Sequence, residues 1–450
     1  MGLRRLFFVL LCLVWVLLNS SQQSLAAPGD IVRASLTDAE GEANDESYDI
    51  AINGTGQTIA FTSDANNLVS GDTNGFADVF VRLQDSGATL RVSVATGGAQ
   101  ANSSSQTPDL SADGRFVVFE SGATNFSASD NDAFWDIYWH DRQTGATELI
   151  SVSTAGVKGN ADSRRASVSD DGEVVVFWSN ANNLVANDTN NAPDIFVHFL
   201  SSGETRRVSV ATGGAQANAF SQNPEVSANG SFVVFESDAS NLVAADDNLR
   251  KDVFRHNLLT GETVLVSRAS DGTIGNGNSA LPAVSAEGRY IAFESLATNL
   301  VAPDQNGTTR DIFRRDMLLD VTILVSIASD GSAGNENSEY AAISADGRLV
   351  AFHSDSTTFI VGHTNLCEEI YLRDLQANTL SLISHGTGGT VANGCSYLPE
   401  ISDDGHFLTF ESDASNLVAN DNNGLNDVFR HENALLELVP AVYLPLITKP

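Results

Sequence analysis

The sequence predicts an all-β protein, a seven-bladed β-propeller built from four-stranded repeats of about 58 residues. An aromatic anchor recurs seven times at nearly constant spacing, and a glycine precedes each anchor at a fixed distance. Nothing in the chain has the pattern of a long helix. Short β units that stack only on their neighbours bury their apolar faces by forming a continuous array, and a ring of seven completes that burial.

The anchor is the second aromatic of strand-like runs such as Phe-Val-Val-Phe-Glu-Ser. Successive anchors lie 58, 58, 58, 58, 59 and 58 residues apart. The decapeptide FESDASNLVA occurs twice, at Phe235–Ala244 and Phe410–Ala419, which indicates recent duplication of one unit. The seven anchors are Phe61, Phe119, Phe177, Phe235, Phe293, Phe352 and Phe410.

A glycine turn divides the first strand of each unit from the second. It lies five residues before the anchor and usually follows Asp or Asn, which is a strong hairpin signal. These glycines are Gly56, Gly114, Gly172, Gly230, Gly288, Gly347 and Gly405. The strands expected in order, each taken from the unit where its pattern is clearest, are Pro108–Ser111, Phe116–Glu120, Asp194–Val197 and Glu148–Val152.

Ring closure needs a strand from one end of the chain to complete the last blade. Ile31–Leu36 matches the fourth-strand pattern and is the first candidate, because it resembles the segment beginning at Arg91. Leu435–Val439 is a rival for the same place. The sequence leaves both open.

The first 26 residues have the pattern of a secretory signal peptide. Arg4 and Arg5 precede an apolar run over residues 6–18, and a small-residue cleavage site ends at Ala26. We therefore expect an exported protein, secreted or held at the cell surface or in the periplasm, with no transmembrane span in the mature chain. The propeller is expected over residues 27–439, followed by a hydrophobic C-terminal tail over 440–450 whose role the sequence leaves open.

The chain is strongly acidic, with 57 Asp and Glu against 24 Lys and Arg, a formal net charge of −33. Such a charge repels nucleic acid and anionic lipid, so neither is expected as a partner. The hydrophobic content of 42% is enough for a packed core. We expect a monomer whose ligand is a protein or a glycan.

The repeat resembles the TolB-type, WD-repeat-like propeller family. The resemblance lies in the run S-x-D-G-R-x-x-x-F, at Ser111–Phe119 and Ser344–Phe352, and in D-I-F-x-R-D at Asp311–Asp316. It covers nearly the whole mature chain, but the unit is longer than in TolB and there are seven units, not six. The resemblance implies a binding role more than catalysis, and it does not carry over TolB's own place in the cell envelope.

A polar loop between the second and third strands has the core D-x-[N/D]-x-x-x-D in six units. Oxygen ligands at alternating positions suit Ca²⁺, so calcium is a candidate cofactor. The alternative is turn chemistry, because Asp and Asn bond their own backbone. The candidate calcium ligands are Asp72, Asn74, Asp78, Asp130, Asp132, Asp136, Asp188, Asn190, Asp194, Asp246, Asn248, Asp252, Asp304, Asn306, Asp311, Asp421, Asn423 and Asp427.

The sixth unit breaks this pattern, since its loop reads GHTNLCEEIY and carries Cys367. The other cysteine of the mature chain, Cys395, lies in the connection to the seventh blade. That connection and the loop share one face of a propeller, and an exported protein with two cysteines favours a disulfide. We predict that Cys367 and Cys395 are bonded.

Aromatic residues specific to single units are the candidate partner contacts, because exposed aromatics anchor proteins or stack on sugars. They are Phe76, Phe134, Trp135, Phe220, Tyr340 and Tyr397. No catalytic motif is recognisable, so no catalytic residue is assigned. The sequence predicts a protein- or glycan-binding module at the cell surface, with a structural envelope or matrix protein and a carbohydrate-active lyase or hydrolase as alternatives.

Overall fold

A computed structural model describes residues 30–303, 306–360, 367–386 and 388–433. These residues form thirty strands and no α-helix, and 28 of the strands make seven four-stranded sheets arranged as a β-propeller. The predicted fold class is confirmed. The signal peptide, the rival strand Leu435–Val439 and the C-terminal tail lie outside the described residues. In the part of the chain that is described, no helix has the length and apolar character needed to span a membrane.

Strand β1 (Ile31–Arg33) precedes the first blade. Blade 1 contains β2 (Ser47–Ile52), β3 (Thr58–Ser63), β4 (Asp78–Leu83) and β5 (Ala88–Arg91). Blade 2 contains β6 (Ser105–Leu110), β7 (Phe116–Ser121), β8 (Asp136–Asp141) and β9 (Ala146–Leu149). Blade 3 contains β10 (Ser163–Val168), β11 (Val174–Ser179), β12 (Asp194–Phe199) and β13 (Glu204–Arg207). Blade 4 contains β14 (Ser221–Val226), β15 (Phe232–Ser237), β16 (Asp252–Asn257) and β17 (Thr263–Leu265).

Blade 5 contains β18 (Ser279–Val284), β19 (Tyr290–Ser295), β20 (Asp311–Asp316) and β21 (Val321–Leu324). Blade 6 contains β22 (Ser338–Ile343), β23 (Leu349–Ser354), β24 (Glu369–Asp374) and β25 (Thr379–Leu382). A small hairpin of β26 (His385–Gly386) and β27 (Thr390–Val391) follows. Blade 7 contains β28 (Ser396–Ile401), β29 (Phe407–Ser412) and β30 (Asp427–Glu432).

The second and third predicted strands of the unit fall inside observed strands. The first, Pro108–Ser111, extends one residue past the end of β6 at Leu110, and the fourth is displaced. Glu148–Val152 was expected, whereas β9 covers Ala146–Leu149. The prediction of the fourth strand's end is therefore wrong. From Ile150 the chain turns out of the sheet, and Val152 forms an isolated bridge with Lys158 in the connection to the next blade. Apolar residues past Leu149 belong to this connection, which explains the displaced prediction.

Strand β1 completes the last blade. It pairs antiparallel with β30, matching Ile31 with His431 and Arg33 with Phe429. The sheet order β1-β30-β29-β28 thus joins the start of the described chain to its end. Of the two candidates for closure, the N-terminal segment is the one observed, although its strand is shorter than Ile31–Leu36.

A β-bulge interrupts the first strand of every blade. Its third residue has a left-handed backbone with φ between 45° and 53°, and pairing with the second strand breaks there. None of these residues is glycine, so each carries a conformational cost of about 1–2 kcal/mol. The bulge residues are Asp49, Thr107, Arg165, Asn223, Leu281, Tyr340 and Leu398.

The bulge leaves the backbone N–H of its left-handed residue without a partner in its own sheet, and a side chain of the preceding blade accepts a hydrogen bond from it. The structure describes all seven interfaces between blades. At six of them the acceptor is the side chain of the residue after the Phe anchor, which is the Glu of Phe-Glu-Ser in four blades. At the remaining interface this residue is Trp178, which has no acceptor atom. The six acceptor–donor pairs are Thr62 and Thr107 (3.2 Å), Glu120 and Arg165 (2.8 Å), Glu236 and Leu281 (2.9 Å), Glu294 and Tyr340 (3.3 Å), His353 and Leu398 (3.3 Å), and Glu411 and Asp49 (2.6 Å).

The rest of the duplicated decapeptide also serves the scaffold. Ser237 at the end of β15 lies 2.9 Å from Ser221, the first residue of β14. Asn241 donates through its side chain to the Gln216 carbonyl at 2.9 Å and accepts from the Asn218 backbone at 3.0 Å. These bonds fix the loop after the second strand to the connection that enters the same blade. The recurrent Asn and Ser residues are therefore structural.

Repeated histidines at one position of the third strand are buried scaffold groups as well. His140 Nδ1 lies 2.8 Å from the Thr147 hydroxyl, and His256 makes the same contact with Thr263. Burial lowers the pKa of both imidazoles to about 4, so they are neutral at physiological pH. They are not gathered around a common centre.

We expect Glu236→Ala to lower the free energy of unfolding by about 1–3 kcal/mol, because it leaves the buried Leu281 N–H without an acceptor and removes the partner of Lys251 at 2.7 Å. Urea unfolding measures the loss. Glu236→Gln is the matched control, since it keeps an oxygen acceptor. Equal stability of the two variants would show that the inter-blade bond contributes nothing.

Candidate functional site

A cavity of about 340 Å³ runs along the axis of the propeller, lined by the first strands of all seven blades. In each blade, two residues of the first strand and one residue of the turn after it face this cavity. Across the seven blades these residues form three tiers along the cavity. The mouth tier consists of the seven bulge residues defined above. The middle tier lies two residues further along each first strand and consists of Ala51, Asp109, Ser167, Glu225, Ala283, Ala342 and Glu400. The narrow tier consists of Gly54, Ala112, Asp170, Ala228, Ala286, Ala345 and Asp403.

The turns that carry the narrow tier lie close to one another. Backbone hydrogen bonds of 3.0–3.3 Å link successive turns, for example from Ala112 N to the Asp170 carbonyl and from Ala345 N to the Asp403 carbonyl. A Cβ on Gly54 would lie 2.1 Å from an Asp403 carboxylate oxygen, so a larger residue here would require the Asp403 side chain to move. Small residues and close turns constrict this end, which leaves the mouth tier as the wider opening.

The middle tier carries three acids at positions where other blades have Ala or Ser. Asp109 accepts from the Val168 backbone of the next blade at 2.9 Å, and Glu225 accepts from Val284 at 3.0 Å. Ser167 accepts from Val226 in the same way at 3.2 Å. Glu400 receives no hydrogen bond from any described residue. Its side chain lines the channel and is exposed to solvent there.

Burial raises the pKa of these carboxyl groups, to about 6 for Asp109, to about 8 for Glu225 and well above the usual value for Glu400. Repulsion among the three adds to the rise for both glutamates, and backbone hydrogen bonds partly oppose it for Asp109 and Glu225. At the narrow tier, burial and the nearby Asp403 raise the pKa of Asp170 to about 6. At neutral pH the cavity therefore holds acids that are partly protonated and partly ionised.

The mouth tier combines acidic, basic, polar, aromatic and aliphatic residues. The Arg165 guanidinium lies within electrostatic reach of Asp49 and Tyr340, on two other blades, and opposes the rise that burial causes in the pKa of both. Next to Tyr340, the His353 ring lies 5.2 Å from the Tyr340 ring and 6.1 Å from that of Tyr397. Two of the predicted partner-contact aromatics thus meet around one histidine at the mouth.

The other predicted partner contacts are spread over the same face. Phe76, Phe134 and Phe220 are 42–53% exposed. Trp135 is half-buried under the Arg164 guanidinium, 4.1 Å from its ring, and Lys158 approaches the Phe134 ring at 5.8 Å. Within the described residues, no aromatic ring contact joins Phe76 or Phe220 to the Tyr340 cluster. The six predicted residues therefore share a face without forming one patch.

The Asp-rich loops use their last Asp as a buried anchor for the third strand. In blade 1 the Asp78 carboxylate accepts from Ser93 at 2.5 Å and from the Asn74 side chain at 2.8 Å. Blades 3, 4 and 7 repeat both contacts with their own Ser, Asn and Asp. The turn chemistry anticipated for these loops accounts for this arrangement. Asp304 lies outside the described residues.

A basic side chain occupies four of the loops. Lys158 Nζ lies 2.7–3.4 Å from Asp130, Asp132 and Asp136, which are also the only all-carboxylate trio of potential metal ligands close together among the described residues. In blades 1, 3 and 7 an arginine lies between the first and last Asp. These pairs are Arg91 with Asp72 (2.9 Å) and Asp78 (3.2 Å), Arg207 with Asp188 (3.1 Å) and Asp194 (3.2 Å), and Arg33 with Asp421 (3.1 Å) and Asp427 (3.3 Å).

Blade 4 has the same acids without a resident cation. Leu265 and Ile274 stand where blades 3 and 2 have Arg207 and Lys158. Burial raises the pKa of Asp252 to about 6 and also raises that of Asp246. No described Lys or Arg pairs with either carboxylate. Of the loops described in full, blade 4 is the one where a calcium ion would meet no competing side chain.

Cys367 and Cys395 are paired, with their Cα atoms 5.0 Å apart, as predicted. The Cys395 backbone N–H donates to Asp413 at 2.6 Å, which ties the pair to the loop of blade 7. The cross-link joins the Asp-poor loop of blade 6 to the following connection, the two segments that Asp residues and Lys158 join in blade 2. In blades 1, 3 and 7 the arginine lies on the fourth strand of the blade instead.

Known proteins were compared with the chain as a whole. No family model and no curated protein matches it, so membership of the TolB-type repeat family is not established. An oligogalacturonate lyase from Vibrio parahaemolyticus has a similar structure, with a TM-score of 0.51 and 14% identity over 93% of each chain. The propeller domain of the Trilobed protease from Pyrococcus furiosus gives 0.51 and 10% identity over 86% of this chain and 96% of that one.

A TolB from Acinetobacter baumannii also matches, with a TM-score of 0.39 and 14% identity over 76% of this chain and 64% of that one. Identities this low show a shared fold and nothing about ligands. The Pyrococcus domain is described as having an open velcro topology. Here, by contrast, strand β1 closes the last blade.

The sequence reasoning missed the channel acids. Asp109, Glu225 and Glu400 each follow a proline at the same position of the first strand. A proline inside a strand marks a bulge, because it cannot donate to the ladder. That signal, present in four of seven blades including Pro282, would have located the bulge and the residues beside the axis.

We expect Arg207→Leu, which copies the Leu265 arrangement of blade 4, to lower the free energy of unfolding by about 2–4 kcal/mol at pH 7, because two buried carboxylates lose their cation. Calcium binding in blade 4 remains a prediction, and thermal unfolding of the variant and the wild type tests whether such a loop binds calcium. If it does, adding calcium reduces the difference in melting temperature between the two proteins, and EDTA restores that difference. A difference in melting temperature that neither treatment changes contradicts calcium binding.

We expect Glu225→Gln to be more stable than the wild type at pH 9, by about 2–3 kcal/mol, and equal to it at pH 5. The pKa of Glu225 is raised in the folded state, so its stabilising contribution is complete below the unfolded value near 4.5 and is lost as the pH rises through about 8. Urea unfolding at pH 5, 7 and 9 measures this. Leu259→Ala, at a 91% exposed residue that does not titrate, should shift stability equally at each pH.

Proposed function

We propose that this protein is an exported binding module whose ligand, a protein or a glycan, docks at the mouth of the central channel. The proposal rests on the positions at which the seven repeats differ from one another. Scaffold positions hold one residue type in all seven blades, such as the turn glycine and the Ser pair. The mouth tier holds six residue types at seven positions, and a ligand site requires such asymmetry.

A binding role is favoured over catalysis by what the channel residues already do. Asp109 and Glu225 accept backbone hydrogen bonds from the next blade, so their oxygens support the fold as well as line the cavity. Among the described residues, the groups that bring three potential metal ligands together lie in the blade 2 loop and at the cysteine pair, away from the channel. The Ser167 hydroxyl, which hydrogen-bonds Asp109, also accepts the Val226 backbone N–H, so this pair likewise supports the contacts between blades.

The lyase alternative draws on the oligogalacturonate lyase likeness, which at 14% identity concerns the fold alone. An oligogalacturonate is a polyanion, and this channel carries six carboxyl groups against one guanidinium. Electrostatic repulsion therefore disfavours that substrate class here. Nothing specific favours the purely structural alternative.

The proposal places the protein outside the cytoplasm, secreted or at the cell surface or in the periplasm. Support comes from the leader pattern of residues 1–26 and from the Cys367–Cys395 pair, because disulfides persist in oxidising compartments. Aromatic and charged groups around the open end of the channel are the contact chemistry that such a module needs.

We expect Tyr340→Ala and Arg165→Ala to weaken ligand retention at least tenfold without lowering the melting temperature by more than a few degrees. Immobilised wild type and variants would be exposed to a cell-envelope extract and to a glycan array, with retained species identified by mass spectrometry. Leu259→Ala is the matched control, because this 91% exposed residue lies in a turn at the opposite end of its blade. Retention of the same species by all variants would place the ligand elsewhere.

A further inference from the structure

We propose that the ligand is a neutral glycan and that it docks at the seam between blades 3 and 4, where Trp178 of β11 faces Asn223 of β14. The inference rests on the proposed function and names its ligand class. A sugar ring stacks on the Trp178 indole, and its oxygens accept hydrogen bonds from Asn223 and from Arg165 of the mouth tier. Of the seven seams between blades, all of which the structure describes, this is the one that lacks the usual side-chain acceptor.

Trp178 leaves a backbone donor of the next blade without a partner. At the other six seams a Glu, Thr or His side chain accepts the bulge N–H. At this seam the bulge residue is Asn223, and no described group accepts a hydrogen bond from its N–H. Backbone N–H groups of folded proteins are nearly always paired, with protein, water or ligand. The seam therefore offers a fixed donor to an oxygen atom from outside the protein.

The indole of Trp178 is the one tryptophan ring of the described residues on which nothing is stacked. The Arg164 guanidinium covers the Trp135 ring at 4.1 Å. The Phe116 ring covers that of Trp139 at 4.8 Å. Trp178 packs against the apolar cluster between blades 3 and 4, stays partly exposed, and has no described hydrogen-bond partner for its Nε1. A flat ring with an unused N–H suits a ligand that is apolar on one face and polar at its edge, as a sugar ring is.

Two polar side chains at this part of the mouth are not used by the fold. Arg165 of blade 3 and Asn223 of blade 4 occupy neighbouring positions around the channel opening. Trp178 is paired across the strands with Arg164, the residue before Arg165. Within the described residues, neither the Arg165 guanidinium nor the Asn223 amide makes a hydrogen bond. A guanidinium donates only, whereas an amide both donates and accepts, so together they suit hydroxyl groups.

Charge favours a neutral ligand over an acidic one. Six carboxyl groups and one guanidinium line the cavity, so an acidic sugar is repelled from its opening. A neutral sugar supplies acceptor oxygens without that repulsion. A hexose also carries several hydroxyls within the span of one ring, so a single sugar contacts the stacking face and the adjacent donors at once.

Other aromatic residues lie on both sides of the seam. Phe220, which is 53% exposed, lies three residues before Asn223 at the start of blade 4. Trp135 of blade 2 lies on the other side, under Arg164. Further sugars of a chain that crosses blades 2 to 4 would contact these rings. We therefore expect an oligosaccharide to bind more tightly than a single sugar.

The experiment screens the full chain on an array of neutral and acidic oligosaccharides, followed by tryptophan-fluorescence titration with the neutral glycans that it retains. Trp178→Glu is the main variant, because it removes the stacking face and restores the acceptor that four other blades use. We expect it to weaken glycan affinity about tenfold or more. Trp178→Phe keeps a flat ring, so affinity should fall less than about fivefold while most of the fluorescence change disappears.

Asn223→Gly keeps the test valid if Trp178→Glu folds poorly. Glycine adopts the left-handed backbone of this position, where φ is 50°, so the variant loses only the amide. We expect it to weaken glycan affinity about threefold or more. Trp139→Phe is the matched control, because Trp139 is 9% exposed and stacks within blade 2, and it should bind as the wild type does.

Retention of no neutral glycan by the wild type, tighter binding of acidic glycans, or an affinity unchanged in both Trp178→Glu and Asn223→Gly overturns the inference. If no glycan binds but an envelope protein retained by the wild type is lost in Tyr340→Ala, this inference fails and the proposed function stands. If Tyr340→Ala and Arg165→Ala also retain everything that the wild type retains, the proposed function fails as well.

Discussion

The hydrogen bond from the bulge N–H to the preceding blade, present at six of the seven interfaces, is the constraint on which the rest of the structure depends. The bulge opens the ladder between the first and second strands, and a Glu, Thr or His one blade back accepts the freed donor. One bond thereby sets the angle between neighbouring blades. It also sends the bulge side chain to the channel mouth, because the left-handed residue cannot keep the pleat of its strand. Scaffold and site are consequently built by the same seven residues.

The pairing of buried carboxylates in the loops between the second and third strands is a second constraint on the structure. A buried carboxylate at the start of the third strand pairs with an arginine of the fourth strand in blades 1, 3 and 7 and with a lysine of the blade connection in blade 2. Blade 4 supplies no Lys or Arg to Asp252, which accepts from Ser267 and Asn248. Burial raises the pKa of this carboxyl group with or without a cation, as Asp136 and Asp252 show. In blade 6 a disulfide, and not an ion pair, cross-links the loop to the connection.

The sequence was sufficient for the fold because the fold depends on residues that repeat. Phe119 and its equivalents fill the blade interfaces, and Gly114 and its equivalents make the turns, so spacing alone indicated seven blades. It also indicated the pairing of Cys367 with Cys395. The end of the fourth strand was misplaced, because apolar residues such as Ile150 continue into the connection. The channel acids were not foreseen, because a bulge shifts which residues face the axis, and its only signal in the sequence is a proline in four of the blades, such as Pro224 before Glu225.

The duplicated decapeptide FESDASNLVA clarifies where this protein's specificity lies. Its Glu holds the next blade, its Ser and Asn hold its own loop, and its Phe fills the core, so identity between copies reflects identical structural duties. Residues freed from those duties are the ones at the axis, and there the chain has placed carboxyl groups in three blades and Ala or Ser in the other four. Repulsion among these carboxyl groups and their partial burial raise their pKa values, so their presence has a cost that the Ala and Ser of the other blades do not carry. On the proposed binding role, the channel and not the repeated motif is the part of the molecule that a ligand would contact.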